Sequence, residues 1–237
     1  MMAISAEKAL NRTDNVRFIR AATREARALF RLATLLPLDL DRSVPLDIRA
    51  GDDVAVLVHG SLATGGAWRP LRRKLEAKNA FVVTFTYGPG AGVRDVAAEI
   101  AAILGGLPEG ARVHLVGHSL GGLAVRWFVQ EFPHDARVVQ TISVAAPFAG
   151  ARGAWLLPGP AGRDMQRGSE TLRRLAETAG LAGVPHLSIF GSADTAVSAD
   201  TTFPVGDRLV VADVGHNTLL FDDAVVARVV QSVTTRR

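Results

Sequence analysis

From residue 51 onward the chain alternates short runs of apolar, largely β-branched residues with longer stretches whose apolar positions recur every three or four residues. Asp53–Val58, Ala80–Tyr87, Arg112–Val116, Val138–Ala145, His186–Phe190 and Arg208–Ala212 read as strands. Their Val, Ile, Leu and Phe content is nearly unbroken, the pattern of strands covered on both faces. Between them, residues 67–78, 92–105, 120–131 and 222–233 carry helical spacing. This alternation predicts an α/β fold, a doubly wound and mostly parallel sheet with helices on both faces, joined by right-handed crossovers.

Two stretches depart from that rhythm. Residues 148–184 separate two strands and begin with a Gly/Pro-rich segment, after which Leu172, Leu175, Ala176 and Ala179 fall on one side of a helical pattern. A connection of this length predicts a short lid-like insertion over the site. Residues 1–50 form an N-terminal extension, leaving 51–237 as the main domain. Within the extension, 16–36 has helical spacing ended by Pro37. Arg17, Arg20, Arg24, Arg27 and Arg31 gather on one side of that helix, with Ile19, Ala22, Ala26, Leu29, Phe30 and Ala33 on the opposite side. The shallow alanine-rich face favours packing on the body with the arginines in water. The alternative is peripheral contact of residues 16–36 with an anionic membrane surface.

Charge sharpens the contrast between the two parts. The formal net charge is +4. Residues 1–36 account for all of it, through Lys8, Arg12 and the five arginines above against Glu7, Asp14 and Glu25. The remainder is neutral overall and has no basic footprint for nucleic acid. With 48% apolar and 21% charged residues, the chain can bury a full core. The absence of cysteine excludes disulfides and thiol catalysis. No apolar run approaches the ~20 residues that span a bilayer, and the N-terminus lacks the layout of a secretory leader. These features suggest a cytoplasmic or membrane-peripheral protein.

The strongest chemical signal is Gly117-His118-Ser119-Leu120-Gly121-Gly122, placed directly after an apolar strand and before a helix-forming run. A nucleophile at such a strand-to-helix turn needs glycine two residues before and two after it, because larger residues would collide. Ser119 is therefore the candidate nucleophile. A serine hydroxyl needs a base, and the base an orienting carboxylate. His216 follows the last strand, in Val214-Gly215-His216-Asn217, and is the candidate base. Asp194, in Gly191-Ser192-Ala193-Asp194, follows the preceding strand and is the candidate acid, with Asp200 as runner-up. Asp207 and Asp213 bracket a strand and suit solvated or capping roles. The oxyanion hole is assigned to the backbone amides of Leu120 and Ser61, the latter in His59-Gly60-Ser61-Leu62. Leu62 and His118, with Trp155, Leu156, Leu157 and Met165 of the insertion, are the candidate substrate contacts.

Taken together, Val-His-Gly at 58–60, Gly-His-Ser-Leu-Gly-Gly at 117–122, Gly-Ser-Ala-Asp at 191–194 and Gly-His at 215–216 resemble, in order and spacing, a bacterial α/β-hydrolase of the lipase/esterase kind. Asp164-Met165-Gln166-Arg167-Gly168-Ser169, followed by Leu172, is similar to a segment of the triacylglycerol-lipase-like branch, with Arg167 where proline is usual. The resemblance implies hydrolysis of a small-molecule or lipid ester through an acyl-enzyme, without cofactor or metal. Serine at position 119 argues against the dehalogenases and epoxide hydrolases of this fold, whose nucleophile is aspartate. Two other readings use the same residues: a thioesterase or acyltransferase, and a non-enzymatic binding protein on the hydrolase scaffold.

Overall fold

The computed structural model describes residues 2–198 and 203–235, with side chains from residue 16 onward. Six strands form one parallel sheet: β1 Asp53–Val58, β2 Phe81–Thr84, β3 Arg112–His118, β4 Val138–Val144, β5 His186–Gly191 and β6 Asp207–Val211. Their order is β2-β1-β3-β4-β5-β6. The direction of winding reverses between β1 and β3, and sheets of this kind place ligands at the carboxyl ends of the strands beside that reversal.

The unbroken apolar runs have the cause the sequence suggests. In β1, Val54, Val56 and Val58 enter one core cluster while Ala55 and Leu57 enter the other. Helices α3 Val93–Gly105 and α4 Leu120–Glu131 cover the first face, and α2 Arg69–Glu76 and α7 Asp223–Thr234 cover the second. The start of α2 is tightened into a 3₁₀ turn over Gly65–Trp68, with Pro70 in the first turn of the helix proper. β6 differs from expectation. It is an edge strand with exposed positions, not one buried on both faces.

The insertion is a packed wall. Its helices α5 Gly159–Asp164 and α6 Glu170–Glu177 lie on α3 and α4. Asp164 Oδ2 accepts the Val93 amide at 2.8 Å, and Gln130 Nε2 donates to the Leu175 carbonyl at 2.9 Å. The fully buried Arg126 donates to the carbonyls of Ala179 and Val184 and lies over the Phe203 ring. Leu172, Leu175 and Ala179 are buried as expected, but Ala176 faces out and Thr178 takes its place.

The N-terminal helix α1, Met2–Leu35, also departs from its expected orientation. It lies against the 3₁₀ turns Gly65–Trp68 and Thr218–Phe221. Ala21 and Ala28 are buried and Glu25, Leu32 and Leu35 half-buried, one stripe at helical spacing. Ile19, Ala22, Ala26, Leu29, Phe30 and Ala33, the apolar side expected to pack, are exposed instead. The arginines are not all left in water. Arg24 pairs with Asp222 at 3.0 Å and donates to the Asp213 carbonyl, while the Arg31 guanidinium sits 4.5 Å from the centre of the Phe221 ring. The docking stripe combines small residues with one carboxylate, and the partners of that carboxylate lie about 190 residues away in sequence.

Candidate active site

Ser119 sits between the end of β3 and the first residue of α4 with φ 52° and ψ −120°. A non-glycine residue in that region is strained by roughly 1–3 kcal/mol and persists only where its surroundings over-determine it. Here the Ser119 amide donates to the Val144 carbonyl at 2.9 Å, and its own carbonyl accepts from the Gly122 and Leu123 amides. Close packing explains the flanking glycines. A Cβ on Gly117 would lie 2.2 Å from the Gly121 carbonyl oxygen, and one on Gly121 would lie 2.4 Å from that of Val58. The turn thus presses directly on the end of β1.

The loop after β1 is held against this elbow by His59 and Tyr87. His59 Nδ1 donates to the Gly60 carbonyl at 2.7 Å, and its Nε2 accepts the Tyr87 amide at 3.2 Å. The Tyr87 hydroxyl donates to the His59 carbonyl, and the two rings stack with centroids 3.9 Å apart. Burial pushes His59 down to about 4, so the ring is neutral, as a ring nitrogen that accepts an amide must be. Burial likewise drives the Tyr87 phenol well above its usual range. Leu62 takes φ 61°, turning the chain so that Gly60 rests on His118 and Ser119. Among the described residues, no other group of the chain accepts a hydrogen bond from the backbone N–H of Ser61 or of Leu120. Ser61 lines the same cavity as Ser119, and Leu120, the residue after the nucleophile, opens α4.

On the far side, His216 Nδ1 lies 2.7 Å from Asp194 Oδ2. The Asp194 side chain is fully shielded from solvent. Its other oxygen accepts the amides of Ala196 and Val197, each at 2.8 Å, so both oxygens are engaged and the carboxylate is fixed in orientation. His118 Nε2 donates to the His216 carbonyl at 3.2 Å, and the two rings lie 4.9 Å apart. Burial first, and the neighbouring His216 second, hold His118 well below the ordinary histidine range. Asp200 lies outside the described residues. Asp213 is occupied as a turn residue with φ 57°, its amide on Ser192 Oγ, and Asp207 opens β6.

A second serine–histidine pair, Ser143 with His186 at 3.2 Å, lacks these features. His186 Nδ1 is bonded to Thr141, no carboxylate among the described residues touches the ring, and both residues are buried away from the pocket. Burial, with Arg126 nearby, pushes His186 down to about 3.

Ser119 and His216 line one cavity of about 470 Å³, together with Ser61, Leu62 and His118. Of the expected insertion contacts, Leu156, Leu157 and Met165 reach it, Met165 from the core and Leu156 from the rim. Trp155 does not. It is 74% exposed and lies outside the lining, because the 3₁₀ turn Ala154–Leu156 points it to solvent. The wall that sequence reasoning missed is α1 with the residue after it: Leu29, Leu32 and Ala33 come from the helix and Leu36 from the turn that follows. A comparable hollow of about 520 Å³ at the opposite ends of β1 and β2, beside Pro45, Asp52 and Phe81, is lined by no serine, threonine or histidine among the described residues. Among the described residues no three His, Asp or Glu side chains gather as a metal site requires, and no described helix is long and apolar enough to cross a membrane.

A parallel sheet reversing beside a strained Ser119, with a histidine–carboxylate pair across the pocket, is the plan of an α/β-hydrolase. Residues 55–194 match the alpha/beta hydrolase family, and the chain belongs to it. Solved structures share the fold at low identity. The mature lipase BlEst2 of Bacillus licheniformis superposes with a TM-score of 0.67 at 16% identity, covering 82% of this chain and 97% of that one. Carboxylesterase CesB of Bacillus subtilis gives 0.56 at 17%, covering 91% and 98%. In sequence, the putative carbamate hydrolase RutD of Pantoea ananatis is 37% identical over 83 residues. That match spans 31% of this chain and 30% of the relative, so the chain matches under a third of that relative's length.

Proposed function

We propose that the protein hydrolyses carboxylic esters by nucleophilic catalysis at Ser119. The observation that supports this best is the 2.7 Å contact of His216 with the fully shielded Asp194, in the cavity that Ser119 also lines. His216 Nε2 takes the hydroxyl proton as Ser119 Oγ attacks the carbonyl carbon. The resulting oxyanion is held by the amides of Ser61 and Leu120, donors worth a few kcal/mol of barrier each. The imidazolium, supported by Asp194, then passes its proton to the departing alcohol and leaves an acyl-enzyme. Water attacks that ester with His216 again as base, and the acid departs. The cavity is lined mainly by Leu, Met and Ala side chains, which suits an apolar acyl chain. The insertion and α1 are its walls.

A carbamate reading is favoured by the RutD match, since a carbamate presents the same carbonyl to the same groups. p-Nitrophenyl esters, a matched carbamate and acyl-CoA thioesters assayed side by side rank the classes. Ser119→Ala should lower turnover by orders of magnitude without changing the melting temperature. Asp194→Asn should do so nearly as strongly, by leaving the imidazole misoriented and its charge unsupported. A fluorophosphonate should label Ser119. A folded Ser119→Ala variant with near-wild-type activity would overturn the proposal. We also propose that the exposed apolar flank of α1, continuous with the mouth of the pocket, rests on a lipid surface.

A further inference from the structure

The loop that carries His216 is bonded to the β5–β6 side through Ser192 and Ala193, and on the α1 side Arg24 reaches the Asp213 carbonyl while Glu25 holds the residues that follow His216. Glu25, on α1, receives four hydrogen bonds from the two residues that follow His216. Its Oε1 accepts the Asn217 amide and Asn217 Nδ2, both at 2.8 Å. Its Oε2 accepts the Thr218 amide at 3.0 Å and the Thr218 hydroxyl at 2.8 Å. These amides open the 3₁₀ turn Thr218–Phe221, where backbone donors have no partner within the turn and a carboxylate completes them. On the other side of His216, Gly215 is packed so closely that an added Cβ would lie 2.5 Å from Glu25 Oε2. The carboxylate thus touches the residue before His216 and binds the two after it.

We propose that Glu25 is a positioning residue for His216, so that α1 is part of the catalytic apparatus; this rests on the reading of His216 as the general base. Asp194 fixes the tilt of the imidazole through Nδ1, and His118 holds the His216 carbonyl. Neither fixes the path of the chain after the histidine. Glu25 does so, and it sets where Nε2 stands relative to Ser119. A misplacement of about 1 Å at such a group can cost about a hundredfold in rate.

Alanine favours helix, so Glu25→Ala removes the clamp without weakening α1. The expected result is a fall in kcat of about tenfold or more with KM close to wild type. Rates are expressed per site titrated with a fluorophosphonate, so loss of folded protein does not count. Glu25→Gln keeps one carbonyl oxygen for Asn217 but cannot accept the Thr218 amide as well, and should restore part of kcat. Gly215→Ala supplies an independent arm. In the wild type it displaces the carboxylate and should lower kcat as Glu25→Ala does. In a Glu25→Ala background that clash is gone, and Gly215→Ala should add little. Glu25→Ala with wild-type kcat per titrated site, or two fully additive substitutions, would overturn the proposal. Ser119→Ala separates the two levels. If it stays active, the hydrolase reading itself fails. If it is inactive while Glu25→Ala turns over normally, only the role of Glu25 is lost.

Discussion

Burial holds several histidines of the fold neutral. His59 is pushed down to about 4 and His186 to about 3, each chiefly by burial, and His118 is depressed in the same sense. In the unfolded chain these rings titrate near 6.5. Between the folded and unfolded values the unfolded state binds more protons, so stability rises with pH there. The contribution is complete above about 6.5 and is lost as pH falls toward 4, at up to about 1.4 kcal/mol per pH unit for each ring. Melting temperature should therefore drop between pH 7 and pH 5. In His186→Gln, whose side chain cannot titrate but can still bond Thr141 and Ser143, the slope should be shallower. An unchanged slope would mean that His186 already shares its pKa with the unfolded chain. At this scale the sequence was informative where chemistry imposes a pattern. Gly117 and Gly121 are demanded by contact with neighbouring backbone, so Ser119 was legible. Glu25 was not, because nothing local marks a helical carboxylate whose four donors lie about 190 residues away.

Elements buried on both faces were legible for a related reason. β1, β3 and β5 occupy the interior of the sheet, so their apolar runs match their bounds closely, whereas β6 at the edge reads the same but is half-exposed. The two elements that shape the pocket, α1 and the insertion, were harder. Each pairs a packed side with a pocket side, and spacing does not tell which is which. The structure distinguishes three kinds of wall position. Met165 is 1% exposed and belongs to the core, so Met165→Ala should cost about 2–5 kcal/mol of stability whatever it does to substrate choice. Leu29 is 52% exposed at the rim. Leu29→Ser should therefore shift acyl-chain preference while leaving the melting temperature nearly unchanged. Each methylene that loses its apolar contact is worth about 0.8 kcal/mol, close to a fourfold change in kcat/KM. Trp155→Ala should leave the chain-length profile untouched, since Trp155 stands outside the lining. A p-nitrophenyl ester series from acetate to decanoate checks all three. A profile that moves with Trp155 and not with Leu29 would place the acyl chain elsewhere.

The formal net charge and a group of exposed large apolar side chains both lie on α1, on different sides of the helix. Phe18 is 68% exposed, Ile19 62%, Leu29 52% and Phe30 74%, and Leu62 at 56% and Leu156 at 70% extend this surface to the pocket rim. Exposed apolar surface of this kind marks an interaction site, and with the pocket taken as the proposed ester site, a lipid surface is the contact proposed for it. The arginines contribute less to such contact than their number suggests. Arg24 is paired with Asp222 and Arg31 is stacked on Phe221, and both point toward the body. Burying the apolar flank should therefore dominate binding, with a smaller anionic component from Arg17, Arg20 and Arg27. Sedimentation with neutral phosphatidylcholine vesicles should retain the wild type, and raising the salt should reduce retention only slightly. Phe18→Ser combined with Phe30→Ser should abolish it while leaving hydrolysis of soluble esters intact, since neither side chain enters the pocket that holds Ser119. Replacing Arg17, Arg20 and Arg27 by glutamine should weaken binding only when anionic lipid is present, by about 1 kcal/mol per residue. Their removal should scarcely change melting, because exposed charges contribute little to stability. Wild-type protein that ignores neutral vesicles, or a serine variant that binds them as well as wild type, would show that the outward flank of α1 serves some other contact.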